Sequence, residues 1–107
     1  MIRGEVWWVR FDPAKGSEIQ KTRPAIIISN DLANRHLPRV VVVPLTSNTK
    51  KLYPGNALVA INGTASKALT DQIMTVDKTR LAGKIGQLLP QEMLTLESAL
   101  KIHLALK

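Results

Sequence analysis

Short apolar runs rich in β-branched residues alternate with turn residues through most of the chain. Runs of this length, bounded by Gly, Pro, Asn and Asp, are typical of β-strands. Because the run at 24–28 and the run at 40–45, within the segment 39–46, are continuously apolar instead of alternating, we expect strands that are buried on both faces, as in a small closed barrel. Three strong runs and three weaker ones predict strands at residues 5–11, 24–28, 39–46, 57–61, 72–76 and 84–88.

After Pro90, a favourable first residue for a helix, the apolar residues recur at helical spacing. Glu97 lies four residues before Lys101 on the polar side, where the two can form an ion pair. Asp77 is placed to cap a single helical turn over residues 78–80. The pattern predicts a mainly β barrel or sandwich of five or six short strands, closed by one amphipathic C-terminal helix. The apolar stripe of that helix comprises Met93, Leu96, Ala99, Leu100, His103 and Leu104.

Length and composition limit the class of protein. The chain has 107 residues, of which 45% are hydrophobic, so we expect one domain spanning 1–107. Cysteine is absent, which excludes disulfides and cysteine-ligated metal centres. The longest apolar run, residues 40–45, is far shorter than the roughly 20 residues of a membrane-spanning helix. Since the first residues also lack a signal-peptide core, we expect a cytoplasmic protein with no membrane partner.

The charge distribution points to an anionic partner. Fifteen Lys and Arg residues stand against eight Asp and Glu, for a net charge of +7. Residues 32–84 carry most of the excess, with eight basic and two acidic side chains. Such a basic segment favours nucleic acid as the partner, although a simply solvated basic surface has the same composition. Aromatic residues make up only 4% of the chain, so no extended base-stacking platform is evident.

Several catalytic and cofactor classes find no support in the sequence. The glycine-rich nucleotide loops and the Gly-x-Ser-x-Gly nucleophile turn are absent. The two histidines can in principle serve as acid and base, but His103 lies on the apolar helical stripe and is expected to be a packing or interface residue. His36 is expected in a solvated loop over 34–38. Because no His and carboxylate residues have metal-ligand spacing, we expect neither a metal site nor a cofactor.

Polar residues at the ends of the predicted strands are the remaining candidates for chemistry. Arg23 directly precedes Pro24, which fixes the local backbone, and a guanidinium has the planar fork that suits phosphate. Together with Thr46, at the end of the third strand, it can form a phosphate clamp. The other polar candidates at strand ends are Ser17, Glu18, Lys21, Ser47, Asp71 and Gln72.

Motifs along nearly the whole chain resemble the signature of the MazF/PemK family of toxin endoribonucleases, in the family's order and spacing. Each motif is short, but together they are specific. The Arg23-Pro24 pair and the Thr46-Ser47 pair stand at the centre of this resemblance. The matching segments are residues 15–18, 23–26, 29–31, 34–35, 42–47, 71–72 and 75–81.

The resemblance implies an SH3-like small barrel that forms a homodimer and cleaves single-stranded RNA, chiefly mRNA, at short sequences. It implies a type II toxin–antitoxin pair, in which the acidic C-terminal segment of a cognate antitoxin occupies the RNA groove. It also implies chemistry without a metal ion. The ribose 2′-hydroxyl attacks the neighbouring phosphate and leaves a 2′,3′-cyclic phosphate end and a 5′-hydroxyl end.

Carried over onto this sequence, the family's catalytic arginine and threonine are Arg23 and Thr46. Arg23 stabilises the charge that develops on the phosphate and can protonate the leaving oxygen, and Thr46 hydrogen-bonds the phosphate. Arginine is a poor base, so either Glu18 or Asp71 accepts the proton or positions the substrate. Lys21, Ser47 and Gln72 complete the expected substrate-binding set.

Two positions depart from relatives that carry histidine there: this chain has Ser17 in one and Thr22 in the other. Without those histidines, catalysis is expected to depend more heavily on Arg23. Two other functions fit the same fold. One is a poison of DNA gyrase, which would have no need of the Arg-Pro and Thr-Ser pairs, and the other is an RNA-binding module without catalysis.

Overall fold

The computed structural model describes residues 1–13, 15–18, 21–53 and 55–107. Over these residues the chain forms a seven-stranded sheet with two α-helices and two single-turn 3₁₀ helices. The strands are β1 (Glu5–Arg10), β2 (Thr22–Ile27), β3 (Arg39–Thr46), β4 (Ala57–Ile61), β5 (Thr64–Ala68), β6 (Met74–Asp77) and β7 (Leu81–Gln87). The α-helices are α1 (Asp31–His36) and α2 (Pro90–Leu104), and the 3₁₀ turns are Thr70–Gln72 and Lys78–Arg80.

The sheet is antiparallel and is organised around β3. Its strand order is β4-β5-β3-β2-β1-β7, and β6 also pairs with β3. On one edge β3 pairs with β2, with Ala25 opposite Pro44. On the other edge it pairs first with β6 and then with β5. Pro44, which has no N–H for a ladder hydrogen bond, lies where this second edge passes from β6 to β5, and its carbonyl accepts from Leu69 N at 2.9 Å.

The core lies on both faces of β3, as the continuous apolar run predicts. On one face, Val43 and Leu45 pack in a cluster that includes Leu96 and Leu100 of α2. On the other face, Val42 belongs to a second cluster, formed with residues of β1, β2 and β6. Each fully buried valine or leucine stabilises the fold by about 1.5–3 kcal/mol. The central strand is therefore buried on both of its faces.

The mainly β architecture with a C-terminal helix is confirmed, and the prediction of a single turn at 78–80 is confirmed as well. Asp77 Oδ1 accepts from Thr79 N at 2.9 Å and from Thr79 Oγ1 at 2.7 Å. The hydrogen bond from the Thr79 backbone is the main cause that lowers the pKa of Asp77. None of the described helices is long and apolar enough to span a membrane.

Four expectations need correction. The structure has one strand more than predicted, because β5 (Thr64–Ala68) was not recognised, and His36 lies at the end of helix α1 instead of in a loop. Glu97 pairs with Arg3 at 2.7 Å instead of with Lys101. His103 does not pack in the core but is exposed and lines a cavity, while an interface role for it stays a prediction.

Candidate active site

The register of the central strands sets Arg23 and Thr46 at matching positions. Ala25 lies opposite Pro44, so continuing the same antiparallel register by two residues sets Arg23 opposite Thr46. Since side chains alternate along a strand, both lie on the face that carries Ala25 and Pro44. Both side chains are half-buried. Two residues that are distant in sequence thus occupy one end of the same sheet face.

Thr46 keeps its hydroxyl proton available for a ligand. Its Oγ1 accepts a hydrogen bond from Asn48 N at 3.2 Å, and the O–H has no acceptor among the described residues. A threonine hydroxyl has one donor and two acceptor lone pairs. Thr46 can therefore donate to a phosphate oxygen without giving up its own contact to the loop.

A cavity of about 370 Å³ separates the loop between β1 and β2 from the 3₁₀ turn Thr70–Gln72. Four of the residues that the sequence singles out line it from its two sides, namely Ser17, Glu18, Asp71 and Gln72. We call this space the main cavity because these candidates line it; a larger cavity, of about 530 Å³, lies beside α1 and contains none of them. Its lining residues are Phe11, Pro13, Ser17, Glu18, Asp71, Gln72, Ile73 and Met74.

The two candidate proton acceptors differ in their surroundings. Glu18 Oε1 accepts from Lys15 N at 2.6 Å, and Glu18 N donates to Lys15 O at 3.0 Å. This carboxylate therefore closes its own turn, which passes through Gly16 with a φ of +57°. The Asp71 carboxylate is exposed and accepts no hydrogen bond from the described residues. The geometry thus favours Asp71 as the acceptor.

The turn that carries Asp71 is firmly attached to the sheet. Leu69 N donates to Pro44 O at 2.9 Å, and Gln72 N donates to Leu69 O at 2.9 Å. Thr70 is buried and its hydroxyl donates to Gly55 O. Because these bonds tie the turn to Pro44, two residues before Thr46, Asp71 is held at the same end of β3 as the Arg23–Thr46 pair.

Lys21 and Ser47 are both exposed, and neither lines the main cavity. Lys21 adopts a φ of +66°, which is uncommon for a residue with a Cβ. Its N–H donates to Asp12 Oδ1 at 2.9 Å, and its carbonyl accepts from Phe11 N at 2.9 Å. Lys21 therefore closes the base of the β1–β2 loop. Ser47 directly follows Thr46 in the sequence.

Part of the basic excess is used within the fold. Arg80 donates to the carbonyls of Arg10 at 3.0 Å and Asp12 at 2.7 Å. Lys78 donates to the Asn34 carbonyl, and Lys84 pairs with Glu5 at 2.8 Å. The charge count alone thus overstates the surface available to a polyanion. No group of three or more His, Asp or Glu residues within the described ranges is arranged to hold a metal ion.

One residue of this region was missed by the sequence analysis. Lys67 of β5 lies directly opposite Thr46 and is only 8% exposed. The segment 64–68 has neither an apolar run nor strict alternation, so no local signal placed it in the sheet. A buried lysine beside Thr46 is visible only in the tertiary structure.

Comparisons with known proteins give a consistent result. A family model described as PemK-like, MazF-like toxin of type II toxin–antitoxin system matches residues 2–104. Endoribonuclease MazF9 of Mycobacterium tuberculosis is 42% identical, over 99% of this chain and 98% of that protein. Endoribonuclease EndoA of Bacillus subtilis is 35% identical, over 97% of this chain and 94% of that protein.

Solved structures agree with the fold. An endoribonuclease in complex with its cognate antitoxin, from a mycobacterial species, matches with a TM-score of 0.84 at 27% identity, over 100% of this chain and 97% of that one. MazF of Deinococcus radiodurans matches in fold with a TM-score of 0.87 at 23% identity, over 99% of this chain and 97% of that one. The small barrel that the resemblance implies is thereby confirmed. By the family model and by its relatives, the chain belongs to the PemK-like, MazF-like toxin family of type II toxin–antitoxin systems.

Proposed function

We propose that this toxin is a metal-independent endoribonuclease that cuts single-stranded RNA, with residues 1–107 acting as one toxin domain. The observation that carries the proposal is the register of β2 and β3, in which Ala25 lies opposite Pro44. Extended by two residues, this register brings Arg23 opposite Thr46, beside the turn that bears Asp71. Relatives named endoribonucleases support it. With mRNA as the substrate, the toxin acts in the cytoplasm.

In the proposed reaction the ribose 2′-oxygen attacks the adjacent phosphorus, and the bond from phosphorus to the 5′-oxygen breaks. The products are a 2′,3′-cyclic phosphate end and a 5′-hydroxyl end. Asp71 takes the proton from the 2′-hydroxyl, since its carboxylate is exposed beside the main cavity. Gln72 and Glu18 line the same cavity and position the substrate, with Lys21 and Ser47 at its margin.

Arg23 and Thr46 act on the phosphate itself. The guanidinium stabilises the negative charge that develops on the non-bridging oxygens, and Thr46 donates its hydroxyl proton to one of them. A guanidinium holds its proton tightly, but an alkoxide is a stronger base still. Arg23 can therefore also supply the proton that the leaving 5′-oxygen needs.

We further propose that the toxin is a homodimer whose partner is a cognate antitoxin with an acidic C-terminal segment. The net charge of +7 suits an acidic peptide as well as RNA. A related mycobacterial endoribonuclease has been solved with its cognate antitoxin. Competition between the acidic segment and RNA for the groove would then keep the toxin inactive.

The test is incubation of the purified protein with a long RNA of mixed sequence in EDTA, followed by analysis of the product ends. We expect cuts at one short motif that leave cyclic phosphate and 5′-hydroxyl ends. The Arg23→Ala variant, purified in parallel, controls for contaminating nucleases. Intact RNA with a correctly folded protein would contradict the proposal, and a gyrase supercoiling assay would then test the poison function.

A further inference from the structure

Three polar side chains cross one face of the sheet in a row. Thr46 lies directly opposite Lys67 of β5, and partners of this kind point to the same face with Cβ atoms about 4.5–5.5 Å apart. On the other edge of β3 the paired residues end at Ala25 and Pro44, and extending that register by two residues brings Arg23 opposite Thr46. Thr46 is thus flanked by one cationic residue on each neighbouring strand, and only Arg23 belongs to the proposed clamp.

Lys67 also lines a second cavity, of about 220 Å³, on the far side of the Thr70–Gln72 turn. Tyr53, Asn56 and His103 contribute to its wall. Asp71 lines both this cavity and the main cavity, so the two adjoin at that residue. A chain that runs through the main cavity past Asp71 therefore enters the second cavity next.

The ammonium group of Lys67 is only partly satisfied by the protein. Its Nζ donates to Lys51 O at 2.8 Å, and it belongs to none of the ion pairs formed among the described residues. An ammonium has three donors, and a buried charge is costly unless it is paired. An anion entering the cavity would supply the missing partner.

Tyr53 provides an exposed aromatic ring at the same cavity. Its side chain is 63% exposed, so a face of the ring is accessible to a ligand in the cavity. A base stacks on such a ring regardless of its identity. An anionic group near Lys67 and a planar group near Tyr53 together describe one nucleotide.

We propose that the second cavity is the subsite for the nucleotide next to the scissile phosphate, with Lys67 binding its phosphate and Tyr53 stacking on its base. The proposal rests on the endoribonuclease function proposed above. Neighbouring strands are about 4.8 Å apart, so Lys67 is one strand removed from the phosphate that Thr46 binds. That spacing suits the next phosphate along the RNA.

The first experiment uses a short RNA with a single cleavage site, taken from the sites mapped in EDTA. The phosphates on either side of the scissile one are replaced, one at a time, by neutral methylphosphonates. For the wild-type protein we expect one replacement to lower kcat/KM about tenfold. The Lys67→Met variant should show the same loss on unmodified RNA and no further loss with that replacement. Lys101→Met, which removes an exposed lysine of α2, is the matched control.

The outcomes separate the possible roles of Lys67. If it only anchors the loop through Lys51 O, Lys67→Met will remain as sensitive to each neutral phosphate as the wild type, which would overturn the subsite alone. Wild-type protein that cuts no RNA would overturn the proposed function itself. If Lys67→Met does not fold, Lys67→Gln replaces it in the same experiment. Glutamine retains a donor for the Lys51 carbonyl but carries no charge, so the same outcomes are expected.

Stacking is tested separately at Tyr53. Tyr53→Ala should raise KM about tenfold with little change in kcat, whereas Tyr53→Phe, which keeps the ring, should behave as the wild type. Removing the base from the nucleotide that Lys67→Met identifies should have the same effect on the wild type and none on Tyr53→Ala. An unchanged KM for Tyr53→Ala would overturn the stacking contact.

Discussion

Glu5 and Lys67 are charged residues that are both buried, at 6% and 8% exposure, yet their surroundings differ. The Glu5 carboxylate accepts from Ile2 N at 2.9 Å and Trp7 Nε1 at 3.0 Å, and it pairs with Lys84 at 2.8 Å. Lys67 donates to one carbonyl and lines a cavity. A buried charged group whose partners all come from the protein stabilises the fold. A buried charged group that keeps free donors beside a cavity can instead bind a ligand.

The pKa of Glu5 reflects these hydrogen bonds and this ion pair. Desolvation by burial pushes the pKa of the carboxyl upward, but the hydrogen bonds from Lys84, Ile2 and Trp7 outweigh it and lower the pKa from 4.5 to about 2. The carboxylate links the first residues of the chain, β1 and β7 into one unit. This β1–β7 cluster should thus govern stability, while the Arg23–Thr46–Lys67 row governs chemistry.

The sharpest test of this division is Arg23→Ala. Removing a donor aimed at the charge that develops in the transition state typically costs about 10²–10³ in kcat, and we expect a loss at the upper end because no histidine stands at positions 17 or 22. The measurement is single-turnover cleavage of the mapped RNA, with thermal unfolding in parallel. Arg23→Lys keeps the charge without the planar fork and should recover only part of the rate.

If Arg23→Ala lowered the melting temperature and left the rate of the folded fraction unchanged, Arg23 would be structural and the division between the two regions would fail.

Glu5→Gln should produce the opposite pattern, a loss of stability with the catalytic rate of the folded protein retained. Because the folded pKa of about 2 lies below the ordinary 4.5, the stabilisation is complete above about pH 4.5 and is lost as the pH falls towards 2. It amounts to at most about 3 kcal/mol at neutral pH. Urea unfolding of both proteins between pH 7 and pH 2 measures it.

The difference between wild type and Glu5→Gln is the quantity to follow, since Asp77 also has a lowered pKa and contributes to the acid sensitivity of both proteins. A difference that stays constant down to pH 2 would show that Glu5 acts through packing and not through its charge.

The fold was predictable from sequence where one apolar pattern ran uninterrupted. β3, with apolar residues on both faces, was predicted with its observed bounds at Arg39 and Thr46. β5 was missed because its residues include exposed Thr64 and Ala65 and the buried Lys67, and α1 because it has only six residues and depends on the Asn30 cap. Short elements that are stabilised by tertiary contacts have no hydrophobic periodicity in their sequence, so the sequence pattern does not predict them.

The sequence named candidate site residues but not how they are arranged in space. The resemblance named Arg23 and Thr46, but only the register of β2 and β3 sets them at matching positions. The choice between Glu18 and Asp71 needed the structure, because the bond from Lys15 N to the Glu18 carboxylate depends on how the loop turns. Lys67 could be identified only from the structure, because it is a candidate through its position opposite Thr46.

Thr46→Val tests the contribution of the threonine hydroxyl within the Arg23–Thr46–Lys67 row. Valine keeps the β-branched shape that suits a strand, so the fold should be unaffected, but the hydroxyl donor to the phosphate is lost. A hydrogen bond to a charged group contributes about 1.5–3 kcal/mol, which predicts a fall in kcat of about 10- to 100-fold. Thr46→Ser restores the donor and should recover most of the rate. Equal rates for the Val and Ser variants would remove Thr46 from the chemistry.

The smallest effect is expected from replacing Lys50 and Lys51 by Ala, which contrasts exposed lysines with the buried Lys67. Both side chains are exposed, and the Lys51 carbonyl that accepts from Lys67 is unchanged by the substitution. If each lysine contacts one phosphate, the slope of log affinity against log salt should fall by about 0.7 per lysine, with the cleavage motif unchanged. RNA binding measured across a salt series, with Lys101→Ala as the control, tests this. A changed motif would show that these lysines read bases, and an unchanged slope would show that they contact no phosphate.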